Sequence, residues 1–380
     1  MQFVVLLGLV SLFGDVTYEG ARSITGPYLA VLGASGAAVG VTAGLGELVG
    51  YGLRLVSGWI SDRTRRYWAI TLLGYGVNLL AVPALALAGR WEVAAALIVA
   101  ERFGKAIRTP ARDAMLSHAT TQMGRGWGFG LHEAMDQIGA VLGPLVVAGV
   151  LAARTEDYRQ AFGLLLIPAG LALVALLTAR FLYPRPQDLD KKAIPLETEG
   201  FSSRFWLYLL AVGLIAVGYA DFPLIAFHLG RAGVTPAGTI PLLYATAMAV
   251  DAVAALVFGR AFDRLGPPVL VGGALISALF APLVFLGGSA GAWAGMVLWG
   301  VGMGAQESVM RAMVAEMSPP ERRGSAYGLF NSGYGLAWFL GSALLGFLYD
   351  RTIGGLVFVS VSAQLAAVLL LGALLWRGRR

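Results

Sequence analysis

Apolar runs long enough to cross a lipid bilayer follow one another along almost the whole chain. An α-helix needs about 20 mostly apolar residues to span the hydrocarbon core. Runs of about that length alternate here with short segments rich in polar residues, glycine and proline. The pattern predicts an all-α membrane protein with twelve transmembrane helices. The predicted spans are 3–30, 37–60, 68–88, 92–108, 126–151, 160–182, 205–228, 239–259, 268–287, 291–310, 325–348 and 354–376.

The longest polar segment, 183–200, separates the sixth predicted span from the seventh. It predicts a six-helix bundle over 1–182, a cytoplasmic linker over 183–204 and a second bundle over 205–380. Two short sequences recur across this division. GWISDR at 58–63 returns as GRAFDR at 259–264, and RGWGFGL at 125–131 returns as RGSAYGL at 323–329. The nearly constant offset indicates a duplication, and parallel repeats of this kind are a transporter architecture with the substrate site near the membrane midplane.

Composition agrees with a membrane protein, since 57% of the residues are hydrophobic and 13% are charged, against roughly 25% charged residues in soluble domains. The net charge of +6 is spread over short inter-helix loops. The positive-inside rule explains that distribution of basic residues better than nucleic-acid binding does, and it predicts that both termini lie in the cytoplasm. We expect a multi-pass protein of the cell membrane, specifically a prokaryotic inner membrane. The first apolar run continues into a polar-studded helix, so we expect it to be retained as helix one rather than cleaved as a signal peptide.

Several chemistries lack their usual residues. The chain has no cysteine, which excludes disulfides and thiolate metal sites. Its three histidines are not accompanied by HExxH, GxSxG or a Walker-type glycine loop. We therefore expect no enzymatic activity, no catalytic residues, no metal and no cofactor.

The sequences GWISDRTRR at 58–66 and GRAFDRLG at 259–266 resemble the GxxxDRxG signature of the major facilitator superfamily. The resemblance covers essentially the whole chain and implies two pseudo-symmetric six-helix halves. Arg65 stands where the family has glycine. Carboxylates at these helix ends can hold a neighbouring helix through charge-assisted hydrogen bonds and release it in another conformation; the alternative is a static surface salt bridge. The predicted gating residues are Gly58, Asp62, Arg63, Arg66, Gly259, Asp263 and Arg264.

Helix five contains GAVLGP at 139–144, which resembles the GxxxGP motif of antiporters in this family. Gly139 and Gly143 permit close helix packing, and Pro144 interrupts the hydrogen-bond ladder. The alternative is that the motif only packs helices together and does not indicate the direction of transport.

Helix four contains ERFGKA at 101–106, which resembles the family's RxxQG motif with Arg102 in the arginine position. The family role of that arginine is to handle protons or substrate. The alternative is a simple Glu101–Lys105 pair one helical turn apart.

The first helix carries GDVTYEGARSITGP, which loosely resembles the first-helix motif of drug and proton antiporters. Asp15, Glu19 and Arg22 share one helical face, and Tyr18 beside them matches Tyr219 in the second half. A lipid-facing charge would cost several kcal/mol, so this face should look into a central cavity. We predict that Arg22 neutralises one of the two carboxylates and that the other takes up the coupled proton; Glu19 is the expected proton site and Asp15 is the alternative.

These motifs predict a secondary active transporter working by alternating access, with proton-coupled efflux as the expected mode. Proton-coupled uptake and a non-transporting lipid-handling or sensor protein on the same fold are the alternatives. The expected partners are a small cationic or zwitterionic substrate, protons and the lipid bilayer, with no nucleic acid, and the expected state is a monomer. The predicted substrate and proton pathway consists of Asp15, Tyr18, Glu19, Arg22, Glu47, Glu101, Arg102, Glu133, Asp136, Tyr219, Asp221, Asp251, Glu307 and Asn331.

Overall fold

The computed structural model describes residues 2–120, 125–154, 156–184, 201–318 and 323–377. In these ranges every regular element is a helix, and the helices form twelve spans, which confirms the predicted fold class. Seven spans are single helices: α1 (Gln2–Val31), α2 (Gly36–Thr64), α4 (Trp91–Thr120), α5 (Arg125–Ala153), α10 (Thr239–Leu265), α15 (Arg323–Arg351) and α16 (Ile353–Arg377).

The other five spans are interrupted. The third is α3 (Tyr67–Ala84) continued by a 3₁₀ turn (Leu85–Leu87), and the sixth is α6 (Tyr158–Leu164) with α7 (Leu166–Leu182). The remaining interrupted spans are the seventh, α8 (Ser203–Gly218) with α9 (Phe222–Arg231); the ninth, α11 (Pro268–Ser277) with α12 (Phe280–Leu286); and the tenth, α13 (Gly288–Ala305), a π-helical turn (Gln306–Met310) and α14 (Arg311–Met317).

The outer surface of the helices has the apolar character that lipid requires. Within the described ranges, nine spans are long and apolar enough to cross a membrane. Large apolar side chains such as Leu87, Phe181 and Leu256 are exposed, and a soluble protein rarely exposes apolar patches of that extent. The fourth span, α4, is not among the nine, because charged residues are concentrated along it.

The helices group into two compact units, and each contains pieces from both halves of the sequence. Two helices are shared: α2 passes from one unit to the other between Leu48 and Val49, and α10 does so between Ala245 and Thr246. The division of the chain into bundles at 183–204 remains a prediction. Unit 1 comprises 1–33, 49–193 and 236–245, and unit 2 comprises 34–48, 194–235 and 246–380.

In unit 1, the glycines of the GAVLGP motif allow α5 to approach α1 closely. A methyl group built on Gly139 would lie 2.4 Å from the Leu12 carbonyl oxygen, and one on Gly143 would lie 2.4 Å from the Val16 carbonyl oxygen. Only a residue without a side chain fits at such distances from backbone atoms. The motif is therefore a packing surface between these two helices.

In unit 2, the start of α2 packs against α15 through another pair of small residues. A methyl group on Gly40 would lie 2.2 Å from the Ser342 carbonyl oxygen and 2.9 Å from Gly346 Cα. The carboxylate of Asp350 caps the same helix start, accepting hydrogen bonds from the backbone N–H of Gly36 at 2.9 Å and of Ala37 at 2.8 Å. A carboxylate at this position satisfies helix N–H groups that have no partner within the helix.

The seventh span breaks at residues 219–221, between α8 and α9. The freed Gly218 carbonyl accepts a hydrogen bond from Ser360 Oγ at 2.6 Å, and the Ala220 carbonyl accepts one from Trp299 Nε1 at 3.0 Å. Irregular backbone at membrane depth is tolerated where such partners exist. The break is thus held by side chains of unit 2.

Helix α4 is longer than the sequence predicted. The prediction ended it at 108, ahead of Pro110, whereas the helix continues to Thr120 with Pro110 inside it. A proline in a helix leaves the carbonyl four residues earlier without its N–H donor. Here that carbonyl, of Ala106, accepts a hydrogen bond from Ser57 Oγ of α2 at 2.8 Å. The tenth span likewise continues past its predicted end at 310, to Met317.

Candidate functional site

The charged face of α1 is buried inside unit 1. Asp15, Tyr18 and Glu19 are each less than 9% exposed, and Arg22 is partly buried. Glu19 accepts a hydrogen bond of 2.6 Å from the hydroxyl of Tyr244, which lies in the part of α10 that belongs to unit 1. Three cationic side chains interact electrostatically with Glu19, namely Arg22, Lys105 and Arg102.

A second charged face, on α4, lies in the same unit. Glu101, Lys105, Arg108 and Arg112 follow one another at helical spacing, so they share one side of the helix. Glu101 forms an ion pair with Arg102 at 3.2 Å rather than with Lys105. It also accepts a hydrogen bond of 2.6 Å from Asn78 Nδ2 on α3.

The next two cations on α4 rest on aromatic rings instead of carboxylates. Lys105 Nζ lies 3.9 Å from the centroid of the Tyr18 ring, and Arg108 Cζ lies 4.1 Å from that of Tyr75. Arg108 is 1% exposed, and its Nε and Nη1 have no hydrogen-bond partner among the described residues. Within the same ranges neither cation has a carboxylate oxygen within 4.0 Å. Cation–π contacts of this kind are worth up to about 2 kcal/mol when desolvated.

The third component is on α5. Asp136 is largely buried and interacts electrostatically with Asp15 of α1. His132, one turn earlier, is 3% exposed and places Nδ1 3.4 Å from Asp136 Oδ1. Glu133 is exposed on the same helix. Unit 1 therefore brings together, in one buried cluster, charges of both signs from α1, α4 and α5.

Most of the cluster's α4 and α5 members were not among the predicted pathway residues. The helical spacing of the charges from 101 to 112 was the available signal, but the predicted span ended at 108 and left Arg112 outside the helix. Asn78, Tyr75 and Tyr244 had no sequence signal beyond being polar residues in apolar spans. The residues that the prediction omitted are Tyr75, Asn78, Lys105, Arg108, Arg112, His132 and Tyr244.

The other predicted pathway residues belong to unit 2, where Tyr219 and Asp221 lie at the break of the seventh span. Asp221 is buried and caps α9 by accepting a hydrogen bond from the Phe222 N–H at 2.8 Å. Trp338 Nε1 lies 3.4 Å from the other carboxylate oxygen of Asp221. Also in unit 2 are Glu47 and Asp251, which are buried, Asn331, which is partly buried, and Glu307, which is exposed.

The predicted gating residues flank two similar turns. Arg65 has φ +54°, and Gly266, at the equivalent place in the second copy, has φ +69°. The left-handed conformation explains why glycine suits this position. In the first copy, Arg63 and Arg66 are exposed and Gly58 is partly buried, whereas the Asp62 side chain is outside what the structure describes.

In the second copy, Asp263 and Arg264 are exposed and Gly259 is partly buried. Neither Asp263 nor Arg264 takes part in an ion pair with another described residue. The latch role of both copies remains a prediction.

The family model described as Major Facilitator Superfamily matches residues 7–342 and 222–380 of the chain. An uncharacterized protein of Mycobacterium tuberculosis is 44% identical over 98% of this chain and 93% of its own length. An uncharacterized MFS-type transporter of Methanocaldococcus jannaschii is 25% identical over 91% of this chain and 88% of its own.

Two solved structures have the same fold at low sequence identity. The nucleoside transporter NupG aligns with a TM-score of 0.75 at 13% identity, covering 100% of both chains. The peptide transporter POT in complex with sulfate aligns with a TM-score of 0.78 at 15% identity, covering 100% of this chain and 94% of its own.

Proposed function

The chain belongs to the major facilitator superfamily and has the fold of a membrane-embedded secondary transporter, and we propose that it exchanges a small zwitterionic molecule for protons. The observation that carries the proposal is the buried cluster of unit 1, with charges of both signs on α1, α4 and α5. Ionisable residues within transmembrane segments are costly, and they mark substrate and proton pathways.

The arrangement of the charges supports a zwitterionic substrate. Lys105 and Arg108 have rings beneath them and no carboxylate within ion-pair distance among the described residues. Such cations can receive an anionic group of a ligand, and a guanidinium suits a carboxylate or phosphate especially well. Asp15 and Asp136 supply negative charge for an ammonium group in the same cluster.

The proton site is better supported at Asp15 and Asp136 than at Glu19. Tyr244 and three neighbouring cations stabilise Glu19 in its ionised form. Arg112, Arg108 and Lys105 likewise interact with Asp136, but Asp15 and Asp136 also interact with each other as like charges. Two carboxylates in one poorly solvated place repel when both are ionised, and one shared proton removes that repulsion. Proton release from this pair when a cationic group arrives would give antiport.

The remaining assignments rest on the sequence. The proposed efflux direction follows from the resemblance of the GAVLGP motif, and uptake in symport is the alternative. We further propose an inner-membrane location, since the 44% identical relatives are mycobacterial proteins, with both termini in the cytoplasm and a monomeric transporter.

The test begins with a ligand screen on the purified protein, in which zwitterionic amino acids, amines and carboxylates are compared by their effect on the unfolding temperature. The best ligand is then used for flux into liposomes, with and without a pH gradient. Asp15→Asn and Asp136→Asn should each abolish gradient-driven accumulation, whereas exchange at equal pH should continue with weaker substrate binding, because one carboxylate remains to receive the ammonium group.

Glu92→Gln is the matched control, because Glu92 is an exposed acid at the start of α4 that pairs with Arg90. Full gradient-driven accumulation by both aspartate variants would refute the proton site. Accumulation of the ligand only when the pH gradient is reversed would indicate symport. A rise in unfolding temperature with amines alone would refute a zwitterionic substrate.

A further inference from the structure

The exposed apolar side of α2 ends in an arginine. Val56, Trp59 and Ile60 are 40–52% exposed, and their spacing places them on one side of the helix. Arg63 continues that side one turn later, with its Cζ 5.1 Å from the centroid of the Trp59 ring. Tryptophan is enriched where hydrocarbon meets lipid headgroups, and arginine near a helix end extends its charge toward that level. The Arg63 guanidinium therefore lies where lipid headgroups begin.

Two more arginines follow in the turn between α2 and α3. Arg65 and Arg66 are exposed, and together with Arg63 they form what we call the basic turn. Asp62 is the one acidic residue among positions 58–66, so three arginines and one aspartate give this segment a charge of +2. None of the three arginines forms an ion pair with another residue that the structure describes. The basic turn thus offers an excess of positive charge to an external partner.

The backbone position of Arg65 is unfavourable for any residue that carries a side chain. Its N–H donates to the Ser61 carbonyl at 2.8 Å, which closes the end of α2, and its φ is +54°. Helix ends of this kind usually have glycine in the left-handed position, and the second copy of the turn has Gly266 there. An arginine at this place lowers stability. The cost indicates that its side chain serves a purpose other than folding.

A fourth arginine borders the same surface from α7. Trp68, near the start of α3, donates its Nε1–H to the Tyr183 carbonyl at 3.0 Å and so joins α3 to the end of α7. Arg180 of α7 places its Cζ 5.9 Å from the centroid of the Trp68 ring. Phe181, next to it, is 86% exposed. Basic groups beside exposed apolar side chains therefore occur on both helices at this end of unit 1.

We propose that the basic turn binds the phosphate groups of anionic phospholipids in the leaflet at this end of α2. A guanidinium group suits phosphate especially well, and basic residues just outside an apolar span attract anionic headgroups. The exposed side chains of Trp59 and Ile60 give the acyl chains of the same lipid an apolar surface to pack on. A soluble phosphate compound would use the arginines but not that surface, so the structure favours a lipid.

The second copy of the motif lacks most of these features. It has Gly266 and Pro267 where the first copy has the second and third arginines of the basic turn, and Arg260 where the first copy has Trp59. The two repeats share the turn of the backbone but differ in the charge that they carry there. The proposed lipid site therefore belongs to unit 1 alone.

Lipid titration of the purified protein tests the proposal. The full chain in a neutral detergent receives phosphatidylglycerol or phosphatidylcholine with identical acyl chains, and native mass spectrometry counts the bound lipids. We expect phosphatidylglycerol to bind more tightly and to lose that advantage at high salt. Each arginine near an anionic leaflet contributes roughly fivefold in affinity, so Arg63→Gln with Arg66→Gln should weaken phosphatidylglycerol binding by roughly 25-fold and leave phosphatidylcholine binding unchanged.

Arg65 allows a second test, in which backbone strain and lipid binding have opposite effects. Arg65→Gly relieves the left-handed position, so this variant should unfold at a higher temperature than wild type in phosphatidylcholine. It also removes a guanidinium, so phosphatidylglycerol should raise its unfolding temperature less than that of wild type. Arg65→Lys keeps the charge and should keep most of the phosphatidylglycerol effect. An Arg65→Gly protein with the full phosphatidylglycerol effect would refute the role of Arg65.

Arg260→Gln with Arg264→Gln is the matched control, because both arginines are exposed at the equivalent helix end in unit 2, next to the exposed Asp263. This variant should retain the preference for phosphatidylglycerol. Inorganic phosphate identifies the source of the anion, since it should neither displace phosphatidylglycerol nor raise the unfolding temperature. Stabilisation by phosphate equal to that by phosphatidylglycerol would indicate a soluble anion and refute the lipid.

Three further results would overturn the proposal. The first is equal binding of the two lipids by wild type, and the second is the same loss of preference in the control variant. The third is a preference that develops only when the acidic residues of 185–200 are replaced by their amides, because that segment of the chain would then occupy the basic turn. The replaced residues are Asp188, Asp190, Glu197 and Glu199.

Discussion

The close contact between α1 and α5 leads to a quantitative prediction for Gly143→Ala. The added methyl carbon would lie 2.4 Å from the Val16 carbonyl oxygen and 2.7 Å from the Gly20 backbone nitrogen. Both are backbone atoms, so no side-chain rotation relieves the clash. Normal van der Waals separation requires the helices to move apart by about 1 Å.

Overpacking of this kind costs roughly 1–3 kcal/mol. Alanine is the better helix former, by up to about 1 kcal/mol, and this gain offsets only part of the cost. Gly149→Ala on the same helix is the matched control, because a methyl group there meets nothing within 4 Å. We expect the Gly143 variant to unfold at a lower temperature than wild type and the Gly149 variant to unfold no lower.

The assay is thermal unfolding of the purified protein in detergent, followed by intrinsic fluorescence. Because α1 carries Asp15 and α5 carries Asp136, separating these helices should also weaken the interaction between the two carboxylates and alter the pH profile of transport. Equal unfolding temperatures for the Gly143 and Gly149 variants would show that the helices are not in contact at this distance.

Three further outcomes are expected. Arg65→Gly should stabilise the protein by roughly 1 kcal/mol, because it removes a side chain from a left-handed backbone position. Gly266→Ala should destabilise it for the same reason. A lower unfolding temperature for Arg65→Gly than for Gly266→Ala would contradict the turn geometry. Asp350→Ala should cost about 1 kcal/mol through loss of the α2 cap, whereas Asp350→Asn should keep most of it, and equal losses would exclude capping. A cysteine placed at Ala193 should resist a membrane-impermeant thiol reagent in intact cells, and efficient labelling would reverse the predicted orientation.

Much of the fold could be predicted because a bilayer restricts the choice to helices of one length. The apolar runs predicted the twelve spans, and the short repeated motifs predicted the turn at Arg65 and Gly266. The end of α4 could not be predicted, since Pro110 normally stops a helix and the carbonyl that it leaves unpaired finds its donor in Ser57 of another helix. The breaks inside spans depend on partners such as Ser360 for Gly218, which lie far away in sequence.

The candidate site could be predicted from the sequence only where its charged residues lie on one helix. Asp15, Glu19 and Arg22 could be grouped by helical spacing, and the structure buries that face in unit 1. The interaction partner of each carboxylate depends on how the helices pack against one another. The sequence could not indicate that Tyr244 would donate a hydrogen bond to Glu19 or that Asp136 would interact electrostatically with Asp15.

The hydrogen bond between Ser57 and the Ala106 carbonyl has a meaning for how helices choose their neighbours in lipid. Apolar side chains pack about as well against lipid tails as against one another, so they specify a partner weakly. Pro110 leaves the Ala106 carbonyl without its helical donor at one height and on one side of α4, and the Ser57 hydroxyl at that height on α2 pairs with it. One proline in α4 therefore favours α2 as the neighbouring helix and favours one register of packing between the two, through the single carbonyl oxygen of Ala106.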